Sequence, residues 1–404
     1  MLLYRLLISL FAAGVLLKRP ERPYWRARLA RDLPDQGRVL WLHGASNGEL
    51  ASIRPLLQRL TETRPELQIR VTANSDTAVA MVTGWQLPRT HARLAPLDLA
   101  GPTRRAMKGV IAHVSLESEL WPNRFRLCPG PVILLGARMS AGTARTWGRL
   151  PGLAARTLAP VRLALAQDAA SLDRLTALGL PAAARGPVVD LKALYQPPAA
   201  QTPDEALRAA FPRARTWLAA STHVGEEEIV LDAHLKALRA EPDLRLILAP
   251  RHPRRAEEIL PLIAARGLTV ARRSTGEAPD AQVYLADTMG EMPLWYALAG
   301  RVFVAGSLTD RGGHTPYEPA HFGAALLHGP DTRNFTAAYT RLAEAGAARQ
   351  ITDAASLAAA LTALSDPEAQ AALGQAAQTA LRQEIDADAL VGRIVDILPP
   401  PAPA

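Results

Sequence analysis

The sequence predicts an α/β protein with two tandem βα domains, each built on a parallel β-sheet flanked by helices. Three observations support this prediction. From Arg38 onward, short runs rich in β-branched residues and leucine alternate with amphipathic helical stretches. A proline-rich interruption between residues 196 and 215 divides the alternation into two series. With 404 residues and 49% hydrophobic content, the chain can give each domain its own core.

The N-terminal segment from Met1 to Leu17 is almost wholly apolar, and a basic cluster follows it. Residues 1–31 hold seven arginine and lysine residues against one acidic residue, Glu21, and so carry six of the eight net positive charges. We expect a membrane-associating helix with a basic flank, because cationic residues are retained on the cytoplasmic side and attracted to anionic lipid heads. A spanning helix needs about 20 apolar residues. The helix could therefore span the bilayer, lie on it, or pack against the following domain.

Other features of the composition narrow the class of protein. Most of the N-terminal charge follows the apolar run, which disfavours a cleaved signal peptide. The single cysteine, Cys128, excludes an internal disulfide and suits a reducing compartment. Charge beyond residue 31 is nearly balanced, which argues against a nucleic-acid-binding protein.

The two domains are predicted over residues 32–195 and 216–397, with a linker containing at most one helix over residues 196–215. The expected strands of the first domain are 39–43, 68–73, 110–116, 132–135 and 163–166. Those of the second are 217–220, 244–249, 283–285, 302–305 and 324–327. Residues 398–404 form a proline-rich tail that we expect not to pack.

Parallel βα sheets bind ligands at the carboxyl ends of their strands, so motifs that follow strands are the candidate site residues. We expect the two domains to face each other across a cleft. The first such motif, Trp-Leu-His-Gly-Ala-Ser-Asn-Gly-Glu, ends at Glu49 and precedes a helix over about residues 50–63. The helix N-terminus favours an ionised carboxylate, which makes Glu49 a candidate base. Alternatively, Glu49 is only a helix-start carboxylate, and His43 is either a cleft residue or a core histidine.

A second motif, Ser-Leu-Glu-Ser-Glu-Leu-Trp-Pro-Asn, covers residues 115–123 and again leads from a strand to a helix. Its carboxylates Glu117 and Glu119 lie beside Trp121, a combination suited to sugar hydroxyls. The alternative is that Ser118 and Glu119 cap the helix.

Four loops of the second domain share the same placement between a strand and a helix, which indicates a nucleotide pocket. They comprise residues 220–228, 249–253, 287–291 and 306–319. The last loop is rich in glycine, so backbone donors around Ser307, Gly312 and Gly313 could cradle a phosphate with Arg251, while Glu318 could bind a ribose diol. The sequence has no zinc-site spacing, Walker loop, dinucleotide fingerprint or serine-hydrolase elbow, and nothing in it requires a metal.

Several of these motifs in combination resemble those of the Kdo transferases. The matching stretches are residues 46–49 (Ser-Asn-Gly-Glu), 117–123 (Glu-Ser-Glu-Leu-Trp-Pro-Asn), 137–140 (Ala-Arg-Met-Ser), 220–223 (Ala-Ser-Thr-His), 250–253 (Pro-Arg-His-Pro), 287–291 (Asp-Thr-Met-Gly-Glu) and 311–319 (Arg-Gly-Gly-His-Thr-Pro-Tyr-Glu-Pro). Members of this family are inverting GT-B-type glycosyltransferases that move 3-deoxy-D-manno-octulosonic acid (Kdo) from CMP-Kdo to a lipid A precursor. The resemblance covers the chain from its apolar start to about Leu381.

The resemblance implies a role for each set of residues. Glu49 is the implied general base. The implied CMP-binding residues are Ser221, Arg251, His252, Met289, Gly290, Glu291, Ser307, Gly312, Gly313, His314 and Glu318. The residues implied for the acceptor or for Kdo are Ser46, Gly48, Glu117, Glu119, Arg138 and Lys192. No cofactor or metal is implied, and the implied location is the cytoplasmic face of the bacterial inner membrane, in contact with anionic lipids.

The chain departs from the family pattern at three places. Gly136 and Thr315 stand where the family usually has asparagine, and residues 186–192 replace a Gly-Asn-Leu-Lys run. Two other functions fit the same pattern of loops. One is a GT-B transferase that uses a UDP-sugar on a lipid, and the other is a non-catalytic membrane protein that binds a sugar nucleotide.

Overall fold

The computed structural model describes residues 2–32, 37–194, 203–382 and 386–400, and it divides the chain into two compact units. Unit 1 comprises Met1–Gln196 and Glu384–Ala404, and unit 2 comprises Pro197–Gln383. Each unit contains one sheet in which every pair of neighbouring strands is parallel. The predicted α/β class with two parallel sheets is therefore confirmed.

The sheet of unit 1 has six strands in the order β3-β2-β1-β4-β5-β6. They are β1 (Val39–His43), β2 (Gln68–Ala73), β3 (Thr90–Leu94), β4 (Val110–Leu116), β5 (Val132–Ala137) and β6 (Val161–Ala166). The helices are α1 (Leu2–Lys18), α2 (Arg22–Arg28), α3 (Asn47–Ser52), α4 (Arg54–Thr63), α5 (Asp76–Gly84), α6 (Ala100–Ala106), α7 (Pro122–Leu127), α8 (Ala141–Gly148), α9 (Pro151–Leu158) and α10 (Ala169–Ala177). Two short 3-10 helices, Ala182–Ala184 and Leu191–Leu194, follow.

The sheet of unit 2 has seven strands in the order β13-β12-β11-β7-β8-β10-β9. They are β7 (Thr216–Thr222), β8 (Arg245–Pro250), β9 (Val270–Arg272), β10 (Val283–Leu285), β11 (Arg301–Val304), β12 (Ala325–His328) and β13 (Ala348–Gln350). The helices are α11 (Glu205–Ala210), α12 (Glu226–Ala237), α13 (Ala256–Ala264), α14 (Met292–Leu298), α15 (Tyr317–His321), α16 (Thr336–Glu344), α17 (Ala354–Ala363) and α18 (Pro367–Leu381), with 3-10 turns at Arg213–Arg215 and Pro253–Arg255.

The last helix, α19 (Ala387–Ile397), belongs to unit 1, which corrects the predicted boundary of the second domain. Its apolar stripe of Leu390, Val391 and Ile394 is buried in the same core cluster as Leu56 and Leu60 of α4. Burial of this stripe is favourable by about 25 cal/mol per Å² of apolar surface. The chain therefore returns to the first unit after completing the second.

The start of the proline-rich tail is also packed, contrary to the prediction. Leu398 is buried in the unit 1 core. The carbonyl of Pro399 accepts hydrogen bonds from Arg38 Nη2 at 2.9 Å and Arg64 Nη2 at 3.1 Å. Proline lacks a backbone N–H but keeps its carbonyl as an acceptor, and two arginines use it here. Residues 401–404 lie outside the described residues.

The N-terminal helix α1 lies against unit 1 along one face only. Ile8 and Ala12 are buried, and the Tyr4 hydroxyl donates to Asp98 Oδ2 at 2.5 Å. Another face exposes five large apolar side chains, those of Leu6, Leu7, Leu10, Phe11 and Leu17. In the part of the chain that the structure describes, no helix has both the length and the apolar character to cross a membrane.

The helix predicted over residues 50–63 is two helices, α3 and α4. The chain breaks at Ile53, whose φ of −101° and ψ of 0° end α3 immediately before the Arg54-Pro55 start of α4. Proline disfavours a continuous helix because its ring blocks the preceding turn and it has no N–H to donate. The break leaves α3 as a six-residue helix that carries Glu49 in its first turn.

Candidate functional site

In unit 1, Glu49 lies where β1 passes into α3, at the carboxyl end of a central strand. Ser46 begins the helix with an extended backbone, and its hydroxyl both accepts from the Glu49 N–H at 3.3 Å and donates to Glu49 Oε1 at 2.9 Å. The Ala45 N–H donates to Glu49 Oε2 at 2.8 Å. This reciprocal cap folds the carboxylate back over its own loop and fixes its position.

The Glu49 carboxylate borders a small pocket at the ends of β4 and β5. The other polar residues that line the pocket are Ser52, Glu117, Gln167 and Asp190. Burial raises the pKa of Glu49 to about 7, and the nearby carboxylate of Glu117 also raises it, while the hydrogen bonds from Ala45 and Ser46 oppose the rise. The helix N-terminus was expected to favour an ionised Glu49, but burial has the larger effect, and the carboxyl is only partly ionised near pH 7. A carboxylate with a pKa near neutrality is well matched to proton transfer.

Glu117 follows β4 in a left-handed backbone conformation with φ of 46°, which is uncommon for a residue with a side chain. Its N–H donates to Leu135 O at 3.1 Å, and its carbonyl accepts from the Arg138 N–H at 3.2 Å. The two loops that follow β4 and β5 are thus joined, and they bring Glu117 and Arg138 to the same end of the sheet. Strain of this kind concentrates at functional sites.

Glu119 is held by two side chains. Its Oε2 accepts from Trp121 Nε1 at 2.7 Å and lies 3.0 Å from His43 Nε2. Burial lowers the pKa of His43 to about 4, so the ring is neutral at pH 7. In the tautomer with its proton on Nε2, the ring donates to Glu119, and Nδ1 can accept from the Thr72 hydroxyl 3.0 Å away. Burial opposes ionisation of Glu119, but the hydrogen bonds from His43 and Trp121, together with nearby positive charge including that of Arg124, lower its pKa overall. His43 is therefore a buried support for Glu119.

Capping of α7 falls to Asp98, a residue that the sequence motifs did not single out. Asp98 Oδ2 accepts from the Asn123 N–H and Oδ1 accepts from the Arg124 N–H, both at 2.8 Å. The hydroxyl of Ser118 instead donates to Arg138 O at 3.1 Å. The alternative that Ser118 and Glu119 cap this helix is therefore wrong, because a carboxylate from 25 residues earlier in the chain takes that role.

The remaining predicted residues of unit 1 lie at the same end of the sheet. Ser46 and Gly48 are exposed in the Glu49 loop. A Cβ at Gly48 would meet no atom within 4 Å, which leaves space for a ligand. Gly136 lines the Glu49 pocket with φ of 59°, a conformation that asparagine also tolerates. Lys192 falls in the 3-10 helix Leu191–Leu194, and its side chain lies outside the described residues.

In unit 2, the loops after β7, β8 and β11 gather three histidines and two arginines. The Nε2 atoms of His223 and His314 are 2.9 Å apart with stacked rings, and the ring centroids of His223 and His252 are 6.5 Å apart. Burial lowers the pKa of His223 to about 4, assisted by the charges of Arg311 and Arg251. The histidine pair is therefore neutral at pH 7, and the arginines supply the positive charge.

Ser221 occupies the turn that begins this cluster. Its φ of 62° is left-handed, and it interrupts the register between β7 and β8. The following residue, Thr222, accepts from the Arg251 N–H at 3.0 Å and so joins the loops that carry Ser221 and Arg251. The predicted residues Ser221, Arg251, His252 and His314 are thus brought together.

Glu226, the first residue of α12, holds two of these loops in place. Its buried carboxylate accepts from the N–H groups of His223 at 3.0 Å, Gly306 at 2.8 Å, and Ser307 and Leu308 at 3.1 Å each. Burial raises its pKa despite these four donors. From the sequence alone, this residue is recognisable only as part of an acidic first turn.

The predicted phosphate cradle differs from the observed loop. The Ser307 N–H is bound to Glu226, and its hydroxyl donates to Val304 O at 2.6 Å. The Gly312 N–H donates to Asp331 Oδ2 and the Gly313 N–H to Gly306 O, both at 2.7 Å. All three backbone donors named for phosphate are used inside the protein. The glycines are needed for packing, since a Cβ at Gly312 would lie 2.5 Å from Asn334.

The loop of residues 287–291 follows β10. Its Met289 is 73% exposed, and Gly290 has φ of 83°. Arg273 donates to both carboxylate oxygens of Glu291, at 2.7 and 3.1 Å, and these bonds lower the pKa of Glu291. The Glu291 carboxylate is therefore a support for the loop, while Met289 and Gly290 present its surface.

Glu318, in the first turn of α15, is half-buried, and its carboxylate has no hydrogen-bond partner among the described residues. Burial raises its pKa to about 7, opposed by the charge of Arg251. An unpartnered carboxylate beside an arginine is available to a ligand hydroxyl. No group of three or more histidine, cysteine or carboxylate side chains in the described ranges is arranged to hold a metal ion.

Comparison with known proteins adds independent information. Residues 23–194 match the family model described as 3-deoxy-D-manno-octulosonic-acid transferase (kdotransferase). The 3-deoxy-D-manno-octulosonic acid transferase of Haemophilus influenzae is 32% identical over 94% of this chain and 92% of its own length. The transferase of the same name from Bordetella pertussis is 34% identical over 84% of this chain and 82% of its own length.

Among solved structures, the UDP-GlcNAc 2-epimerase of Neisseria meningitidis bound to UDP-GlcNAc matches with a TM-score of 0.59. The match covers 89% of this chain and 100% of the epimerase chain at 12% identity. At that identity the likeness shows the fold alone, and it supports the predicted GT-B-type class.

Proposed function

The chain belongs to the 3-deoxy-D-manno-octulosonic acid (Kdo) transferase family, and from this premise we propose the reaction and the part that each unit plays in it. The enzyme transfers Kdo from CMP-Kdo to a hydroxyl of a lipid A precursor resembling lipid IVA, with inversion at the anomeric carbon. The reaction belongs to lipopolysaccharide inner-core synthesis. Family membership rests on the 32% identity to the Haemophilus influenzae transferase over most of both chains.

The observation that carries the mechanism is the position and pKa of Glu49. Its carboxylate is fixed by Ser46 and Ala45 at the end of β1, and burial raises its pKa to about 7. As the acceptor hydroxyl attacks, Glu49 removes its proton. A positioned base of this kind contributes a factor of about 10² to 10⁴ in rate. Glu117 and Arg138 lie at the same end of the sheet, and we assign them to binding of the acceptor or of Kdo.

Unit 2 is assigned the CMP-Kdo donor. The phosphate of CMP gathers negative charge as it leaves, and the guanidinium groups of Arg251 and Arg311 can stabilise that charge. Glu318 has no hydrogen-bond partner among the described residues, so it is free to accept from the ribose hydroxyls. Met289 and Gly290 form a further wall for the nucleotide. Because the arginines supply positive charge, we propose transfer without a metal.

The N-terminal helix is assigned to the membrane surface at the cytoplasmic face of the inner membrane. Its exposed apolar side chains, including Leu6, Leu10 and Leu17, are suited to burial at the lipid boundary. The exposed Arg22, Arg26 and Arg31 that follow are suited to anionic lipid heads. Because Ile8 and Ala12 are already packed on unit 1, the helix lies along the surface.

Release of CMP from CMP-Kdo, in the presence of a lipid A precursor in detergent, tests the proposed reaction. We expect acceptor-dependent release by the wild type and a loss of about 10² to 10⁴ in rate for Glu49→Gln. Glu62→Gln is the matched control, since Glu62 is an exposed carboxylate on α4 with a surface pairing to Arg59. A wild type that is folded but active only with UDP-sugars would overturn the donor assignment. Full activity of Glu49→Gln would show that Glu49 is not the general base.

A further inference from the structure

A cavity of about 260 Å³ lies in unit 1 between the N-terminal helix and the loop that precedes α7. It is separate from the Glu49 pocket, and no residue lines both. One wall is aromatic and one is cationic. Its aromatic, charged and amide side chains are those of Phe11, Arg28, Asn74, Asp98, Trp121 and Arg124.

Two buried arginines dominate the polar wall of this cavity. Arg28 is 7% exposed and Arg124 is 2% exposed. Each makes one hydrogen bond to a backbone carbonyl, from Arg28 Nη1 to Ala95 O at 2.5 Å and from Arg124 Nη2 to Pro96 O at 2.7 Å. Among the described residues, Nε of Arg28 and both Nε and Nη1 of Arg124 have no hydrogen-bond partner. N–H donors of buried cations that lack a hydrogen-bond partner destabilise the fold, and an anionic acceptor would satisfy them.

Asp98, the carboxylate in the cavity wall, does not meet this need. Its oxygens already accept from the Tyr4 hydroxyl and from the N–H groups of Asn123 and Arg124. Its nearest approach to the Arg124 guanidinium is 4.0 Å, beyond hydrogen-bond distance. A phosphate offers several charged oxygens, and guanidinium groups bind phosphate in a bidentate manner.

The other wall suits the apolar part of an amphiphile. Phe11 is half-exposed on α1 and continues into the apolar face that contains Leu7 and Leu10. Trp121 stacks over the Arg124 guanidinium at 5.0 Å and donates to Glu119 Oε2 at 2.7 Å. The cavity therefore joins the exposed apolar helix on one side to the Glu119 network of the candidate active site on the other.

We propose that this cavity is an acceptor subsite, in which Arg28 and Arg124 bind a phosphate group of the lipid acceptor while its apolar portion lies along α1. The proposal rests on the proposed function for the identity of the lipid. It assigns α1 a second role, as one wall of a substrate site. It also accounts for the guanidinium N–H groups of Arg28 and Arg124 that have no hydrogen-bond partner among the described residues, although the carboxylates of Asp98 and Glu119 lie near Arg124.

Equilibrium binding to detergent micelles, without donor, tests the subsite. The probes are a phosphorylated lipid A precursor, the same lipid after removal of its phosphates, and phosphatidylglycerol. The first variant is Arg28→Gln. The second is Asn74→Asp, which adds a negative charge at an exposed rim position and avoids disturbing the core. Gln58→Glu on α4 is the matched control, because it adds the same charge at an exposed position away from the cavity.

We expect both cavity variants to weaken binding of the phosphorylated precursor by about tenfold or more, as the loss of a charge-assisted contact predicts. Binding of the dephosphorylated lipid and the behaviour of Gln58→Glu should not change. Equal binding of the two lipids by the wild type, or unaltered binding by Asn74→Asp, overturns the proposal. If the two cavity variants weaken binding of phosphatidylglycerol as much as binding of the precursor, the proposal is also overturned. The cavity is then a general site for anionic lipids.

Kdo transfer by the wild type is measured in parallel. If the wild type fails to transfer Kdo, the proposed function fails, while the micelle experiment still decides whether the cavity binds a lipid phosphate. If transfer succeeds and the variants bind normally, only the subsite fails. In an active enzyme we further expect Arg28→Gln to raise the KM for the acceptor and to leave the KM for CMP-Kdo unchanged.

Discussion

The two units use glutamates in the first turn of a helix in different ways. Glu49 in unit 1 accepts two hydrogen bonds from its own loop, and burial together with the carboxylate of Glu117 raises its pKa. Glu226 in unit 2 accepts four hydrogen bonds from backbone N–H groups of two loops. A carboxylate that few donors satisfy is therefore available for proton transfer, the role proposed for Glu49, whereas one that donors surround is a structural anchor. Partners in the fold, more than residue type, decide which role a glutamate takes.

Replacing the anchor should cause the largest change in stability. Glu226→Gln places an amide N–H₂ opposite backbone donors, which leaves at least one of them unsatisfied in a buried site. We expect the free energy of unfolding of unit 2 to fall by about 3 kcal/mol. Denaturant unfolding measures the loss, and hydrogen exchange should locate it in unit 2.

A control separates this effect from loss of any negative charge. Glu344→Gln removes an exposed carboxylate at the end of α16 and should leave stability within about 0.5 kcal/mol of the wild type. If Glu226→Gln were as stable as this control, Glu226 would not be a structural anchor, and the contrast with Glu49 would be wrong.

The next prediction concerns Glu318 in unit 2, whose carboxylate lacks hydrogen-bond partners among the described residues. It tests whether this carboxylate binds a ligand. If it accepts from ribose hydroxyls, as proposed, Glu318→Gln should weaken CMP binding by about tenfold. Calorimetric titration with CMP at pH 8, where the carboxylate with a pKa of about 7 is ionised, measures the change. Unfolding should be little altered, in contrast to Glu226→Gln. Unchanged CMP affinity would show that the Glu318 carboxylate does not bind the nucleotide.

The sequence predicted the central strands better than the edges of the sheets. The strands β1, β2, β4 and β10 match the expected residues, because buried strands of a parallel sheet are runs of apolar residues. The strands β3, β9 and β13 were not predicted, and all three are edge strands. The β3 sequence Thr-His-Ala-Arg-Leu is only partly buried, so it lacks the apolar run that identifies a strand.

The same reasoning explains what was found and missed in the site. Glu49 could be predicted because its partners Ala45 and Ser46 are its neighbours in the sequence. Glu226 could not, because it binds Gly306, which lies 80 residues away. The glycine-rich loop predicted a phosphate cradle from local composition, but those donors are used by Glu226 and Asp331. Long-range hydrogen bonds are not encoded in a local pattern.

A smaller effect is expected from the carboxylate beside Glu49. The negative charge of Glu117 raises the pKa of Glu49, so Glu117→Gln should lower that pKa. The acidic limb of the pH profile of kcat/KM should therefore move to lower pH, because Glu49 stays ionised in more acidic solution. Glu119→Gln is the comparison, because the charge of Glu119 raises the pKa of Glu49 less than the charge of Glu117 does. A limb that moves to higher pH would contradict the proposed coupling.

The smallest effect is on stability. Glu49→Gln should change the free energy of unfolding in the opposite direction from Glu226→Gln. The pKa of Glu49 is about 7 in the folded protein, against an ordinary value of 4.5 for the unfolded chain. Between these values the folded protein binds more protons than the unfolded chain, so stability falls as pH rises through this window. Because Glu49 is partly exposed, the cost at pH 8 is of order 1 kcal/mol.

Glu49→Gln removes this ionisable group, so it should unfold at the same or slightly higher denaturant concentration than the wild type at pH 8. At pH 4.5 the wild-type carboxyl is protonated, and the two proteins should be equally stable within about 0.5 kcal/mol. Measuring unfolding at both pH values tests the sign. If Glu49→Gln were less stable at pH 8, Glu49 would be an anchor like Glu226. Greater stability combined with lost transfer is the signature of a residue held in an unfavourable state for its function.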